Sequence, residues 1–408
     1  MRFIADLHIH SRYSRACSRD LTPENLQRWG ELKGIRVIGT GDITHPLWLG
    51  ELREKLEPSE GSLLTLKKGL RTDDVPDSCR ADVSFLLSGE ISCIFKRGGK
   101  TRKVHALVFL PDFAAVERLR SALGRLGNLA SDGRPILGLD VKQLLQMVLD
   151  ASSEATLVPA HAWTPHFSLF GASSGFDSLE DCFEELTPHI HAIETGLSSD
   201  PSMNWRLSHL DRITLISNSD AHSPAKLGRE ANIFATDITY QAIMEGIRTR
   251  KGFMGTIEFF PEEGKYHHDG HRTCGARLAP RETIGHDNLC PSCGKRVTIG
   301  VLHRIEALAD APDGRRPECA PPFYSVIPLA EIIGKVLKVG VSSKKVQQCY
   351  FDLLGKLGNE FTILLETPVE DIARAGFPHL GEAIRRIRAG KIRISPGFDG
   401  QFGEIEID

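Results

Sequence analysis

"RFIADLHIH", residues 2–10, ends an apolar run on two histidines one position apart. In a strand, side chains at i and i+2 share a face, so His8 and His10 point the same way, next to Asp6. Paired imidazoles beside a carboxylate are the start of a metal site; the competing reading is a surface histidine pair. The rest of the first 255 residues decides between them. "RVIGTGDITHP" (36–46) ends on Asp42 with His45 beyond it, "VSFLLSGEIS" (83–92) carries Glu90, and "KVHALVFLP" (103–111) has His105 inside its run. "ATLVPAHAW" (155–163) carries His161, "IHAIETGLSSD" (190–200) carries Glu194, and "ITLISNSDAHSP" (213–224) carries Asp220 and His222. Helical patterns lie between many of these runs, at 23–33, 114–126, 141–151 and 179–186. Near-continuous apolar strands alternating with helices predict a parallel sheet covered by helices. Seven such strands suit a barrel, whose reactive residues sit at the C-terminal strand ends, and most ligand-type residues fall there. The opening histidines are therefore read as metal ligands.

Composition narrows the class. A chain of 408 residues suits one large domain with one or two smaller ones. A formal charge of −3 carries no global signal for nucleic acid. No apolar run is long enough to cross a membrane, and "MRFIADLHIH" is too short and too acidic for a signal peptide. Six of the nine cysteines are scattered without a pairing pattern, which fits a reducing, cytoplasmic protein. Residues 57–79 read as a polar excursion, and "KRGGKTRK" (96–103) as a basic turn that either is solvated or meets a phosphate backbone.

Beyond an amphipathic helix at 240–252 the composition changes. In "YHHDGHRTCGARLAPRETIGHDNLCPSCGKR" (266–296), His271 and Cys274 are followed, after fifteen intervening residues, by Cys290 and Cys293. Thiolates and an imidazole at this spacing close a tetrahedron around a structural zinc; His267 or His268 are alternatives to His271 as the fourth ligand. Residues 311–322 read as a linker, and helices follow at 328–338, 342–357, 369–375 and 380–389. A hairpin around a Gly-rich turn closes the chain. "RRIRAGKIR" (385–393) gathers basic residues with no acid among them and competes as a DNA-backbone contact.

His8, His10, Asp42, Glu90, His105, His161, Asp220 and His222 exceed the needs of one mononuclear site. Mixed imidazole and carboxylate donors suit Zn, Mn or Fe better than Mg or Ca, with Mg possible. Two or three divalent ions bridged by a carboxylate such as Glu90 is the natural count, and such clusters hydrolyse phosphate esters. Loops after the strands offer Trp163, Ser198, Asn204 and Asn218 as candidates for a base pocket.

These motifs resemble the polymerase and histidinol phosphatase (PHP) superfamily: the His8–His10 pair, Glu90, His105, His161 and the Asp220-x-His222 pair. "HRTCG…CPSCGKRVTIGVLHRIEALAD", "IPLAEIIG" and "PGFDGQFGEIEI" narrow the resemblance to the endonuclease Q family, over essentially the whole chain. The resemblance implies an α/β architecture with a distorted (β/α)7 barrel holding up to three metals over residues 1–255. A zinc-ribbon segment would cover 256–310, and a small, mainly helical C-terminal domain over 311–408 would grip DNA. It implies nicking of DNA on the 5′ side of uracil, hypoxanthine and xanthine and at abasic sites. It places one metal on His8, His10, Glu90 and Asp220, a second on Glu90, His105 and His161, and a third with Asp42 and His222. Asp220, Glu90 and His8 would be catalytic. Two departures bear on the third metal: Arg15 stands where an acidic or histidine ligand is common, and Asp42 where a histidine is common. The partner expected is lesion-bearing DNA, with no membrane and no tail for a sliding clamp. A phosphoesterase for a small phosphate monoester is the alternative, and a nucleic-acid-binding module with an inactive barrel is a third reading.

Overall fold

The computed structural model describes residues 1–407; Asp408, at the end of the expected C-terminal domain, lies outside the described residues. The chain opens with β1 (Arg2–Asp6), α1 (Pro23–Lys33), β2 (Ile35–Gly39), α2 (Pro46–Lys55), β3 (Leu56–Pro58), β4 (Leu64–Leu66) and β5 (Ser84–Leu86). A long hairpin follows, β6 (Ser88–Arg97) and β7 (Lys100–Phe109), then α3 (Phe113–Leu123), β8 (Ile136–Leu137), α4 (Val141–Ala151) and β9 (Thr156–Pro159). Next come α5 (Leu179–Phe183), β10 (Ala192–Glu194), α6 (Pro201–Asn204), β11 (Thr214–Ile216), β12 (Ala231–Ala235), α7 (Tyr240–Thr249) and β13 (Phe253–Glu258). The cysteine-bearing segment holds β14 (Asp269–His271), β15 (Ala276–Leu278), α8 (Pro280–Gly285) and α9 (Val301–Leu308). After β16 (Phe323–Ser325) come α10 (Leu329–Leu337), α11 (Lys344–Leu357), α12 (Val369–Arg374), α13 (Pro378–Arg388) and the hairpin β17 (Arg393–Ser395) and β18 (Glu404–Glu406).

Local chemistry sets several of these limits. Thr22 caps α1 by accepting from the Asn25 N–H, Pro23 starts the helix, and Gly34 ends it in the left-handed conformation. Asp112 and Asp140 cap α3 and α4 in the same way. α2 is a helix that sequence periodicity did not indicate. His45 caps it, its side chain accepting from the Trp48 N–H, so this histidine serves the backbone rather than a metal. The expected helix at 179–186 stops at Phe183 and continues as a 3-10 turn that contains Pro188.

The strands form mixed sheets rather than the expected parallel one. The largest has the order β16-β13-β12-β1-β2-β5-β4-β3, a second has β8-β6-β7-β9, and β10 pairs with β11. β12 runs antiparallel to β1 and β13, and β7 antiparallel to β6 and β9. Strands buried on both faces read as continuous apolar runs whichever way they point, so the reversed strands left no mark in the sequence pattern. Past its last residue β1 keeps pairing: Ile9 bridges Ala221 in parallel, and His10 N donates to Ala221 O. The segments that follow β1 and β11 thus lie side by side, and this contact assembles the site. No helix among the described residues is long and apolar enough to cross a membrane.

The C-terminal helices α10–α13 have an apolar core of their own, including Ile332, Leu353, Leu354, Ile363 and Ile384, which also takes in Leu32 of α1. At this junction Glu360 accepts from the Tyr350 hydroxyl at 2.7 Å and the Leu329 N–H at 3.0 Å, and pairs with Lys33 at 3.4 Å. Both charged side chains are buried, and removing one partner strands the other. Glu360→Ala is expected to destabilise the protein by about 3–5 kcal/mol, read by denaturant unfolding; a loss below about 1 kcal/mol would show that the junction does not depend on this ion pair.

Candidate metal centre

The opening question is settled by where the two imidazoles lie. Ile9 points into the apolar core while His8 and His10 are buried on the other face. His8 Nδ1 hydrogen-bonds both oxygens of Glu194 at 3.0 and 3.1 Å. His10 Nδ1 hydrogen-bonds Asp42 Oδ1 at 3.1 Å. A carboxylate on Nδ1 fixes the ring and directs Nε2 inward, the usual support of a metal-binding histidine. Both Nε2 atoms, and Asp220 Oδ1, are buried without a hydrogen-bond partner. Asp220 Oδ1 lies 3.0 Å from His10 Nε2 and 3.6 Å from His8 Nε2. With Glu90 they form a group whose ligand atoms all lie within 4.8 Å of one another. Buried polar atoms are rarely left unpaired, and these converge on one point, so the donor set fits a divalent cation.

Glu90 joins this group to a second. In the hairpin Glu90 pairs with Leu107 and Ser92 with His105, which makes Glu90 and His105 diagonal neighbours on one face. Glu90 Oε1 lies 2.7 Å from His105 Nδ1 and 3.1 Å from His161 Nε2. Its Oε2 lies 3.3 Å from His10 Nε2 and 3.6 Å from His8 Nε2. Each oxygen of one buried carboxylate therefore faces its own set of imidazoles. His161 takes φ +29 and Asp220 φ +46, a region that non-glycine residues seldom occupy. Glu194 Oε2 accepts the His161 N–H at 2.8 Å, and Gly196 packs so tightly on His161 that a Cβ there would collide with it.

The charges support each other. Burial would lower the pKa of His8 and His10, yet both stand well above the ordinary imidazole value. Glu194, Asp220 and Glu90 surround His8, and Asp220, Asp42 and Glu90 surround His10. Burial would raise Glu90, but His105, His8 and His10 hold it well below the usual carboxylate range; His8 and His10 do the same for Asp220.

Six of the eight expected ligands fall into these two groups, and the other two, Asp42 and His222, stand beside them. Asp42 has both oxygens engaged: Oδ1 with His10, and Oδ2 with the Ser11 N–H (2.7 Å), Ser11 Oγ (2.6 Å) and Ser14 Oγ (2.9 Å). It orients His10, and its Oδ2 is already held by three donors. His222 stacks edge-on against His10 and turns Nδ1 to the Asp220 carbonyl at 2.8 Å; it belongs to neither group. The cation that the fold does bring to Glu90 is Arg134, whose Nη1 lies 3.0 Å from Oε2. Asp132 holds that turn by accepting from the Arg134 and Arg15 N–H groups. Gly133 lets it close, since a Cβ there would collide with Asp42 and Ser14. Arg134 carried no signal in the sequence. Glu194 did, because it ends an apolar run as the ligands do.

Over the full chain this protein is similar to a lesion-specific endonuclease of Pyrococcus furiosus, PfuEndoQ. Sequence identity is 33%, the TM-score is 0.87, and the match covers 100% of this chain and 96% of that one. The chain belongs to the endonuclease Q family. An endonuclease Q complex with a 27-mer duplex bearing an abasic lesion at its active site matches at 33% identity and a TM-score of 0.85, over 100% of this chain and 97% of that one. The Bacillus subtilis protein YqxK is 31% identical over 99% of both chains. MJ0043 of Methanocaldococcus jannaschii is 33% identical over 60% of this chain, which spans only 31% of that protein's length. Residues 328–391 match the family described as the MJ0043 C-terminal domain.

Further along the chain, His271, Cys274, Cys290 and Cys293 form another group with ligand atoms within 4.8 Å of one another, and Cys293 Sγ lies 3.4 Å from His271 Nδ1. Gly275 and Gly294 take positive φ where each knuckle turns. Although burial opposes it, the Ser292 and Cys293 N–H groups and His271 bring the Cys290 thiol down to about 6, which favours the thiolate that binds metal. His267 is buried and stacked on His268, outside this group.

Three of the four candidates for a base pocket are buried and bonded internally. Trp163 is buried and donates Nε1–H to Asn204 Oδ1 at 2.8 Å. Asn204 donates in turn to the Asp200 carbonyl. Asn218 accepts from the Leu7 N–H and donates to Glu194. These three residues are internal braces, whose amides and indole satisfy the loops beneath the site; Ser198 alone is partly exposed. The basic segments are also less free than their composition implied. Arg97 pairs with Asp140 and Arg102 donates to the Gly175 carbonyl. Glu382 pairs with both Arg385 and Arg386, and Arg388 donates to the carbonyls of Ile363 and Leu364.

Two outcomes are expected. Asp42→Asn and Glu194→Gln should each weaken divalent-metal binding by about 10–100-fold, measured by titration of metal-stripped protein. Complete loss in Asp42→Asn would make it a ligand after all. Cys290→Ser should lose one equivalent of zinc and lower the thermal midpoint, because binding at such a site is folding free energy. Unchanged zinc stoichiometry would refute the four-donor assignment.

Proposed function

We propose that this chain is a metal-dependent endonuclease that nicks DNA on the 5′ side of deaminated bases and at abasic sites, leaving a 3′-hydroxyl and a 5′-phosphate. The observation that carries this reading is its full-length likeness to an endonuclease Q holding an abasic-lesion duplex at the active site. Within that reading, residues 1–255 are the catalytic part, their sheets together making the distorted PHP barrel. Residues 256–310 are the zinc-binding segment, and 311–408 form the helical domain that grips the duplex. Nine free cysteines suit a reducing compartment, the cytoplasm.

His8, His10, Glu90 and Asp220 would hold one divalent ion, and Glu90, His105 and His161 a second; such ions polarise a phosphodiester and lower the pKa of water. The protein's own groups complete the chemistry. Glu194 and Asp42 keep the Nδ1 protons of His8 and His10 in place, so that Nε2 stays a donor of electrons. Asp220 buries Oδ1 against the imidazoles, and its remaining oxygen accepts a hydrogen bond from the attacking water and orients it. Arg134, 3.0 Å from Glu90, donates to a non-bridging oxygen of the scissile phosphate. Water then attacks phosphorus, the bond to the 3′-oxygen breaks, and that oxygen leaves with a proton. The lesion nucleotide keeps the phosphate and must leave the stack to be inspected.

The test is a nicking assay on labelled duplexes containing uracil, hypoxanthine or an abasic site, with a chromogenic phosphomonoester alongside. Cleavage 5′ to the lesion is expected, with activity abolished in Asp220→Asn while lesion binding is largely retained. Cleavage 3′ to the lesion, release of a free base, or turnover of the monoester alone would overturn the reading.

A further inference from the structure

The C-terminal hairpin is held rigidly and yet shows an aromatic ring to water. Between β17 and β18, Phe398 and Gln401 exchange backbone hydrogen bonds of 3.0 and 2.8 Å around Asp399 and Gly400, both at positive φ. Gly397 N donates to Glu262 O at 2.8 Å, Gly400 N to Lys265 O at 3.0 Å and Gly403 N to Glu263 O at 3.1 Å. Asp399 accepts from the Arg272 N–H at 2.7 Å and from Thr298 Oγ1 at 2.6 Å. The turn is thereby tied to the chain on both sides of β14. Phe398 is buried in it, whereas Phe402 is 67% exposed, the most exposed aromatic among the described residues.

Scattered single exposed apolar side chains are ordinary, but Phe402 is not isolated. Lys265 Nζ lies 4.5 Å from its ring centroid. Tyr266 is 38% exposed, and its hydroxyl and the Arg272 guanidinium both flank Gly400. The segment that carries Lys265 also touches the loop that follows β10. Gly264, next to Lys265, faces the Leu197 carbonyl, and Leu197 follows Gly196, which packs on His161.

We propose that Phe402 stacks on a base of the bound duplex beside the extruded nucleotide, with Lys265 and Arg272 meeting the flanking phosphates; this rests on the endonuclease reading above. Extruding a nucleotide exposes the faces of its neighbours, and an aromatic ring flanked by cations is suited to cover one of them. The fixed backbone means that little conformational freedom is lost on contact.

The experiment uses the full chain in an Asp220→Asn background, so that DNA is bound without being cut. The probe is an abasic duplex carrying 2-aminopurine next to the lesion, followed by anisotropy and by base fluorescence. Adding Phe402→Ala is expected to weaken binding roughly ten-fold and to abolish the fluorescence change, while Phe402→Trp keeps both. Zinc content and thermal midpoint should stay unchanged, because the ring is exposed. If Phe402→Ala binds and reports as the parent does, stacking is overturned while the endonuclease reading stands. If the parent itself does not prefer the abasic duplex to an undamaged one, both are overturned. Altered self-association with unchanged DNA binding also overturns the proposal, in favour of a protein contact.

Discussion

A carboxylate buried without compensation is among the costliest features a fold can carry, and Glu90 is fully buried. The arrangement around it follows from that constraint. Four imidazoles and one guanidinium come within 3.6 Å of its two oxygens. These groups need acceptors of their own, which Glu194 and Asp42 supply to His8 and His10. The hairpin places Glu90 and His105, the strand ends place the others, and the strained backbone at His161 and Asp220 aims the last side chains inward. Remove the central carboxylate and the imidazoles have no common partner.

Much of this was legible in sequence wherever a strand ended on a ligand-type residue. His8 and His10 are readable as a pair because strand periodicity puts them on one face. Cys290 and Cys293 are readable because knuckle spacing is short and local. What stayed hidden depends on which atom of a side chain is already engaged. Asp42 has the right type and the right place, and only the positions of Ser11 and Ser14 show that its second oxygen is taken. Trp163, Asn204 and Asn218 sit on loops, as pocket residues do, but their polar atoms face inward. The reversed direction of β7 was invisible for a different reason. It explains why His105 lies within its apolar run and not at the end: a strand running back through the sheet meets the rim part-way along its length.

The region beyond the catalytic part is more than an appendage. Lys33 and Glu360 join α1 to the helices α10 and α11, and the C-terminal hairpin is bonded to the segments on both sides of β14. The C-terminal helices and the cysteine knuckle are thus each tied into the body of the chain by bonds of their own.

The hydrogen bond from Leu7 to Asn218 spans 211 positions of chain, and it lies in the contact that brings the first ligand pair to the last. Such long-range closure is characteristic of slow folding. The four-residue group cannot form in a partly made chain, because its members run from His8 to Asp220. Ions bound there would stabilise the finished state by mass action and would offer little template for the earlier steps that lead to it.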